Sequence, residues 1–322
     1  MRSFLFKSTK RYMRTSGCVG GASAVLVTAL LLAGCTIGSE APKPTEQRST
    51  GAVTLDDRST DLADSEVFKA EPDTAESRGP DLKDAAEDPQ AASIQSVLNE
   101  MMPRLPAGAS VTIFDGVRSY SIGDNQVGPA WSTSKVPLTQ VALARGVASQ
   151  ADVRAAITAS DNQAAERVWE SLGGGEAAAA AVSNHIGVPV PAFPPRAGFS
   201  AFGQTQWGLS DQAAYAFNLP CSGGEVYRLM GEISPDQAWG LGTIPGAHFK
   251  GGWGPSPEGN YLVRQFGTVP TATGPVGIAI AVWPVGGTFD QGTSQLSSIA
   301  ADVRYAIEEG EVAAHGYCGD GY

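Results

Sequence analysis

The sequence predicts an α+β fold, an α/β/α sandwich in which one antiparallel sheet is flanked by helices and carries an inserted helical lobe. Three observations lead there. Alternating strand patterns lie near both ends of residues 90–322, helical patterns fill the middle, and an amphipathic helix closes the chain.

Residues 94–104 repeat apolar side chains at helical spacing. Residues 110–114 and 119–122 are short strands around Asp115-Gly116, a hairpin signal. A helix opens at Ser132 and runs to about Ala148. Short helices follow over 152–158, 162–172 and 176–185, the last an alanine run suited to close packing. Residues 188–207 are rich in Pro, Gly and Phe and form a long ordered loop. Helices over 210–217 and 225–232 precede strands over 248–253, 261–269 and 276–283. The closing helix, 294–309, places Leu296, Ile299, Val303 and Ile307 on one face.

Ahead of this domain the composition changes twice. Residues 1–35 combine a basic start (Arg2, Lys7, Lys10, Arg11, Arg14) with an apolar core over 19–33 that is short for a membrane span. They end in Leu32-Ala33-Gly34-Cys35, which resembles the lipobox of bacterial lipoproteins. That resemblance implies cleavage before Cys35, a lipid on Cys35, and a mature protein held at the membrane on its extracytoplasmic side. Residues 36–89 carry 14 acidic against six basic side chains among Pro, Ser, Thr and Ala. Such a segment cannot bury enough apolar surface to offset its chain entropy, so a disordered acidic tether is expected.

Residues 90–322 hold 19 acidic and 11 basic side chains, with no basic patch interleaved with aromatics. Nucleic acid is therefore not an expected partner. His185, His248 and His315 lack metal-ligand spacing, and neither metal nor cofactor is expected. Cys221 and Cys318 are the only cysteines left after the leader, in an oxidising compartment. A disulfide between them is expected to contribute roughly 3–5 kcal/mol. The domain is expected to act as a monomer.

Three short motifs carry chemistry. Ser132 and Lys135 stand at i and i+3, on one face of a helix's first turn. A serine hydroxyl needs a base to become a nucleophile, and a lysine can be that base once burial lowers its pKa. From Ala91 onward the chain has two lysines, Lys135 and Lys250, against nine arginines. Lysine is the cation whose pKa can be tuned, so this sparing use beside serine- and glycine-rich motifs points to chemical roles. Ser160-Asp161-Asn162 opens a helix with a ready cap. Lys250-Gly251-Gly252 lies in a strand whose glycines let another backbone approach closely.

In order and flanks these motifs resemble the Ser-x-x-Lys, Ser-Asp-Asn and Lys-Ser/Thr-Gly signature of the serine β-lactamase and penicillin-binding protein superfamily. The second motif resembles its class A form over residues 157–165. The compact spacing more loosely resembles alanine-rich mycobacterial-type lipoproteins. The superfamily resemblance implies a β-lactamase/transpeptidase-like fold and an acyl-serine reaction on D-alanyl cell-wall peptides or β-lactams. It implies Ser132 as nucleophile, Lys135 as its base and Ser160 as proton relay. Asn162 and Lys250 would bind substrate, with Gly252 beside them and an oxyanion hole from the Ser132 and Trp253 N–H groups.

Three departures temper the transfer. Gly251 replaces a hydroxyl residue, at a cost to carboxylate binding on the order of 1.5–3 kcal/mol. Ser160 follows Ser132 by only 28 positions, so the helical lobe must be trimmed. Residues 188–207 contain no glutamate, whereas class A enzymes deacylate with a loop glutamate, so deacylation is expected to be slow. Glu166 follows Asn162 by four positions and is expected to anchor a loop backbone. The alternative function is a non-catalytic lipoprotein that keeps the cleft to bind a cell-wall ligand or a protein partner.

Overall fold

The computed structural model describes residues 89–124, 127–309 and 312–316, with side chains from residue 94. The leader, Cys35, the tether and Cys318 fall outside the described residues, and with them the Cys221–Cys318 pairing.

The domain begins with α1 (Pro89–Met101), the hairpin β1 (Ala109–Phe114) and β2 (Ser119–Gly123), and the short β3 (Gly128–Pro129). Four helices follow: α2 (Lys135–Ala144), α3 (Gln150–Thr158), α4 (Asn162–Ser171) and α5 (Gly175–Ile186). After the long loop come β4 (Gln206–Trp207), α6 (Leu209–Ser222) and α7 (Gly224–Met230). The chain closes through β5 (His248–Pro255), β6 (Tyr261–Thr271), β7 (Gly274–Val282) and α8 (Phe289–Glu309).

Five strands form one antiparallel sheet in the order β2-β1-β7-β6-β5. Its alternating side chains explain the sandwich. On β7, Ile278, Ile280 and Val282 point to the face covered by Ile94 and Leu98 of α1 and by Leu296, Ile299 and Val303 of α8. Ala279 and Ala281 point the other way, with Phe266 of β6, onto Leu209, Ala213 and Ala216 of α6. Small residues on that face let α6 lie close to the sheet. Helices on both faces explain why central strands read as continuous apolar runs.

The inserted lobe packs around α2, whose residues Lys135 through Ala142 are all buried. A helix buried all round is apolar all round, and this one departs from that rule chiefly at Lys135. Ala164, Ala165, Val168 and Trp169 of α4 and Ala178 and Val182 of α5 fill the lobe with Leu138 and Ala142.

Several boundaries differ from the sequence expectation. The helix expected from Ser132 to Ala148 is a 3-10 turn, Trp131–Ser134, followed by α2, which ends at Ala144. Gly146 adopts φ +67° and turns the chain out, a conformation glycine enters without cost. α6 continues through Pro220 to Ser222, past the expected end at residue 217. The ribbon of β3 with β4 is two residues per strand, too short to leave a pattern. Residues 188–207 otherwise form the predicted loop, pinned by Phe202, which is buried against Trp169.

Candidate active site

Ser132 occupies the 3-10 turn that precedes α2. The preceding residue, Trp131, has φ +49°, a left-handed conformation that costs a bulky side chain of order 1–3 kcal/mol. Packing over-determines it: Trp131 is buried and meets Phe199 of the long loop edge-on at 5.2 Å. Thr133 and Ser134 are buried, and their hydroxyls donate back to the Ala130 and Trp131 carbonyls, the second at 2.6 Å. Ser132 is thus presented from a turn whose other side chains are committed to packing.

The second motif sits on the turn between α3 and α4. Asp161 is the cap of α4, its Oδ1 accepting from Ala164 N at 2.9 Å. That leaves Ser160 uncommitted to capping, at φ +56°. The third motif lies on β5, where Lys250 is opposite Phe266 and Gly252 opposite Arg264.

The three motifs converge. Lys135 Nζ donates to the Ser160 carbonyl, to Asn162 Oδ1 at 2.7 Å and to Ser160 Oγ at 3.4 Å. Lys250 Nζ donates to the same Ser160 Oγ at 2.9 Å and to the Gly251 carbonyl at 3.0 Å. One serine hydroxyl therefore stands between the two buried lysine amines, from opposite lobes. Burial pulls the Lys135 ammonium down to about 7, against the charges of Asp161 and Glu166, which raise it. Lys250 is held well below the usual lysine range by burial and then by the charge on Lys135.

Lys135, the base that the resemblance implies for Ser132, makes no direct bond to it: among the described residues the Ser132 hydroxyl has no hydrogen-bond partner. The lysine instead faces the Ser160 carbonyl and the Asn162 amide oxygen, which solvate an ammonium in a dry site.

β5 lies directly against the serine turn at Gly252. A Cβ there would fall 2.7 Å from Ala130 O and 3.0 Å from Ser132 N. Only glycine permits this approach. Gly251 has a different neighbour: its Cβ would point at the Trp239 indole, 3.2 Å away. Trp239 thus crowds the space a hydroxyl side chain would need, which is a local packing reason for the departure from Ser/Thr.

Ser132, Ser160, Asn162 and Trp253 open into one cavity of about 500 Å³, with Phe199, Ser200, Phe202 and Gly203 of the long loop on its wall. Lys135 and Lys250 lie beneath this lining. Glu166 also lines the cavity, and among the described residues its carboxylate accepts no backbone hydrogen bond. The expected anchoring role is therefore not what this side chain does. What the sequence did not indicate is this orientation, which depends on how α4 is rotated when its alanine face packs into the lobe. The only sequence signal was its i+4 spacing from Asn162.

No family model and no curated protein matches the sequence. Solved structures do match the fold. A class A β-lactamase from Bacteroides cellulosilyticus aligns at 14% identity, covering 67% of this chain and 97% of that one, with a TM-score of 0.54. The TLA-1 extended-spectrum β-lactamase aligns at 14% identity over 67% and 98% of the two chains, also at 0.54. A β-lactamase from Burkholderia vietnamiensis aligns at 20% identity over 66% and 96%, at 0.51. At such identities these matches establish a class A β-lactamase-like fold.

Proposed function

We propose that this chain, with its class A β-lactamase-like fold, is a membrane-tethered extracytoplasmic serine hydrolase or acyl transferase. Its substrates would be D-alanyl cell-wall peptides or β-lactams, and its intermediate an ester on Ser132. The observation that carries this reading is the Ser160 hydroxyl held between Lys135 and Lys250 at the floor of the cavity that Ser132 enters.

Lys135, neutral in a substantial fraction near pH 7, accepts the Ser132 proton once its side chain turns from Asn162 toward Ser132. Ser132 Oγ attacks the amide carbonyl, and the N–H groups of Ser132 and Trp253 stabilise the oxyanion. Ser160 delivers the proton to the departing nitrogen, replenished from the lysines on either side. Asn162, whose Oδ1 accepts from Lys135 before that turn, presents its amide N–H to the substrate's own amide. Gly251 offers no side-chain donor, so a substrate carboxylate is recognised by Lys250 with less help than in the Lys-Ser/Thr-Gly pattern. The lipid on Cys35 and the acidic tether would hold the domain outside the membrane.

The test is labelling of fractionated cells with a fluorescent penicillin, followed by mass spectrometry. An adduct on Ser132, trapped by rapid quenching, is expected in the membrane fraction. Ser132→Ala should abolish it, and Cys35→Ser should move it to the soluble fraction. A folded wild-type chain that neither forms a quench-trapped adduct nor consumes the penicillin would overturn the enzymatic reading and leave the cleft as a binding site.

A further inference from the structure

Resting on the acyl-serine reading, we propose that Glu166 is the general base that activates water to release the acyl group from Ser132, a task performed from α4 rather than from the long loop. Its place in the cavity, its lack of a bonded partner, its fixed position and its electrostatics converge on this role.

The cavity that receives Ser132 has one carboxylate among its described lining residues, and it is Glu166. Residues 188–207, which build the opposite wall, contain no acidic side chain. The carboxylate is also uncommitted. Among the described residues it makes no hydrogen bond or close ion pair, whereas Asp152, Glu225 and Glu232 on the same lobe are all held by arginines. A half-buried carboxylate without a structural partner is an expense the fold has no packing reason to carry.

Its position is rigid. Ala164, Ala165, Val168 and Trp169 bury the other face of α4 in the lobe core, which fixes the rotation that aims Glu166 into the cavity. Asn162, one turn earlier, shares that face and that cavity. Electrostatics suit the role as well. Burial and then the neighbouring Glu170 raise the Glu166 pKa, while Lys135 opposes them, so the carboxylate is more basic than an exposed one.

The step balances without another reactant. Water adds its oxygen to the acyl carbonyl as its proton passes to Glu166. The tetrahedral intermediate then collapses, the bond from carbon to Ser132 Oγ breaks, and the proton returns by way of Lys135 to that oxygen. The products are a free carboxylic acid and the original serine. Deacylation would thus be restored despite the loop that lacks a glutamate.

The experiment compares the full chain with Glu166→Gln and Glu166→Asp, using benzylpenicillin. Acylation is timed in single turnover, and adduct lifetime is followed by mass spectrometry after the free drug is removed. Glu166→Gln should acylate within about threefold of wild type, yet hold its adduct roughly 10²–10⁴ times longer. Glu166→Asp should fall between the two. Equal adduct lifetimes in wild type and Glu166→Gln would overturn the proposal while leaving the acyl-serine reading intact. Equal slowing of acylation and deacylation would also overturn it, marking Glu166 as a counter-charge that tunes Lys135. If neither protein forms an adduct, the acyl-serine reading fails and this inference fails with it.

Discussion

Lys135 is 1% exposed, and in the proposed reaction its burial sets the pH at which the site can work. A lysine that must accept a proton is useful only when neutral. With its pKa pulled down to about 7, the neutral fraction falls tenfold per unit below that value and saturates above it. The acylation rate should therefore rise with pH across the range 5–7 and level off between 7 and 8. Stopped-flow labelling with a fluorescent penicillin measures this directly. A rate that is flat between pH 5 and 8 would show that another group takes the Ser132 proton. An arginine at this position keeps the charge at all these pH values, so Lys135→Arg should lose acylation throughout.

At the scale of elements, the site depends on β5 lying flush against the Ser132 turn. Gly252→Ala places a methyl 2.7 Å from Ala130 O and 3.0 Å from Ser132 N, contacts that backbone atoms can relieve only by moving apart. The expected result is a loss of acylation of roughly 10²-fold or more, because small misplacements of the attacking group are costly. The accompanying stability loss should be only about 1–3 kcal/mol. Penicillin labelling set beside urea unfolding separates the two. Unchanged labelling would mean that strand and turn need not touch. Such contacts were only partly legible in the sequence. Periodicity located the five strands of the main sheet and the principal helices, and the motifs named Ser132, Lys135, Ser160 and Lys250 because spacing and residue type survive without geometry. The 3-10 turn, the β3–β4 ribbon and the aim of Glu166 were not legible. Each depends on how one element is rotated or pressed against another, which no local pattern records.

At the scale of the whole domain, one buried arginine joins the sheet to the site. Arg264 is 1% exposed on β6, in register opposite Gly252. Its Nη1 donates to the Gly128 and Pro129 carbonyls at 2.9 and 3.1 Å, and its Nη2 to the Trp207 carbonyl at 2.9 Å and to Gln212 Oε1. Gln212 in turn donates from Nε2 to Thr133 Oγ1 at 2.9 Å, one residue from Ser132. A single guanidinium therefore ties β6 to both strands of the β3–β4 ribbon, to α6 and to the serine turn. Burial lowers its pKa only to about 9, so it remains charged at neutral pH, balanced by carbonyl dipoles rather than by a carboxylate. A sequence shows such a residue as an ordinary surface cation, which is why this network had to be seen. Arg264→Met keeps the apolar stem but leaves those four acceptors without their donor. The expected destabilisation is roughly 3–5 kcal/mol, since unpaired buried acceptors outweigh the desolvation recovered by removing the charge. Acylation of Ser132 should fall as well, because Thr133 loses the support that fixes Gln212. Arg264→Lys, with three donors at one point instead of a planar fork, should recover only part of either loss. Urea unfolding with penicillin labelling of the three proteins tests this. A methionine variant as stable as wild type would mean that the ribbon and α6 hold the serine turn without the arginine.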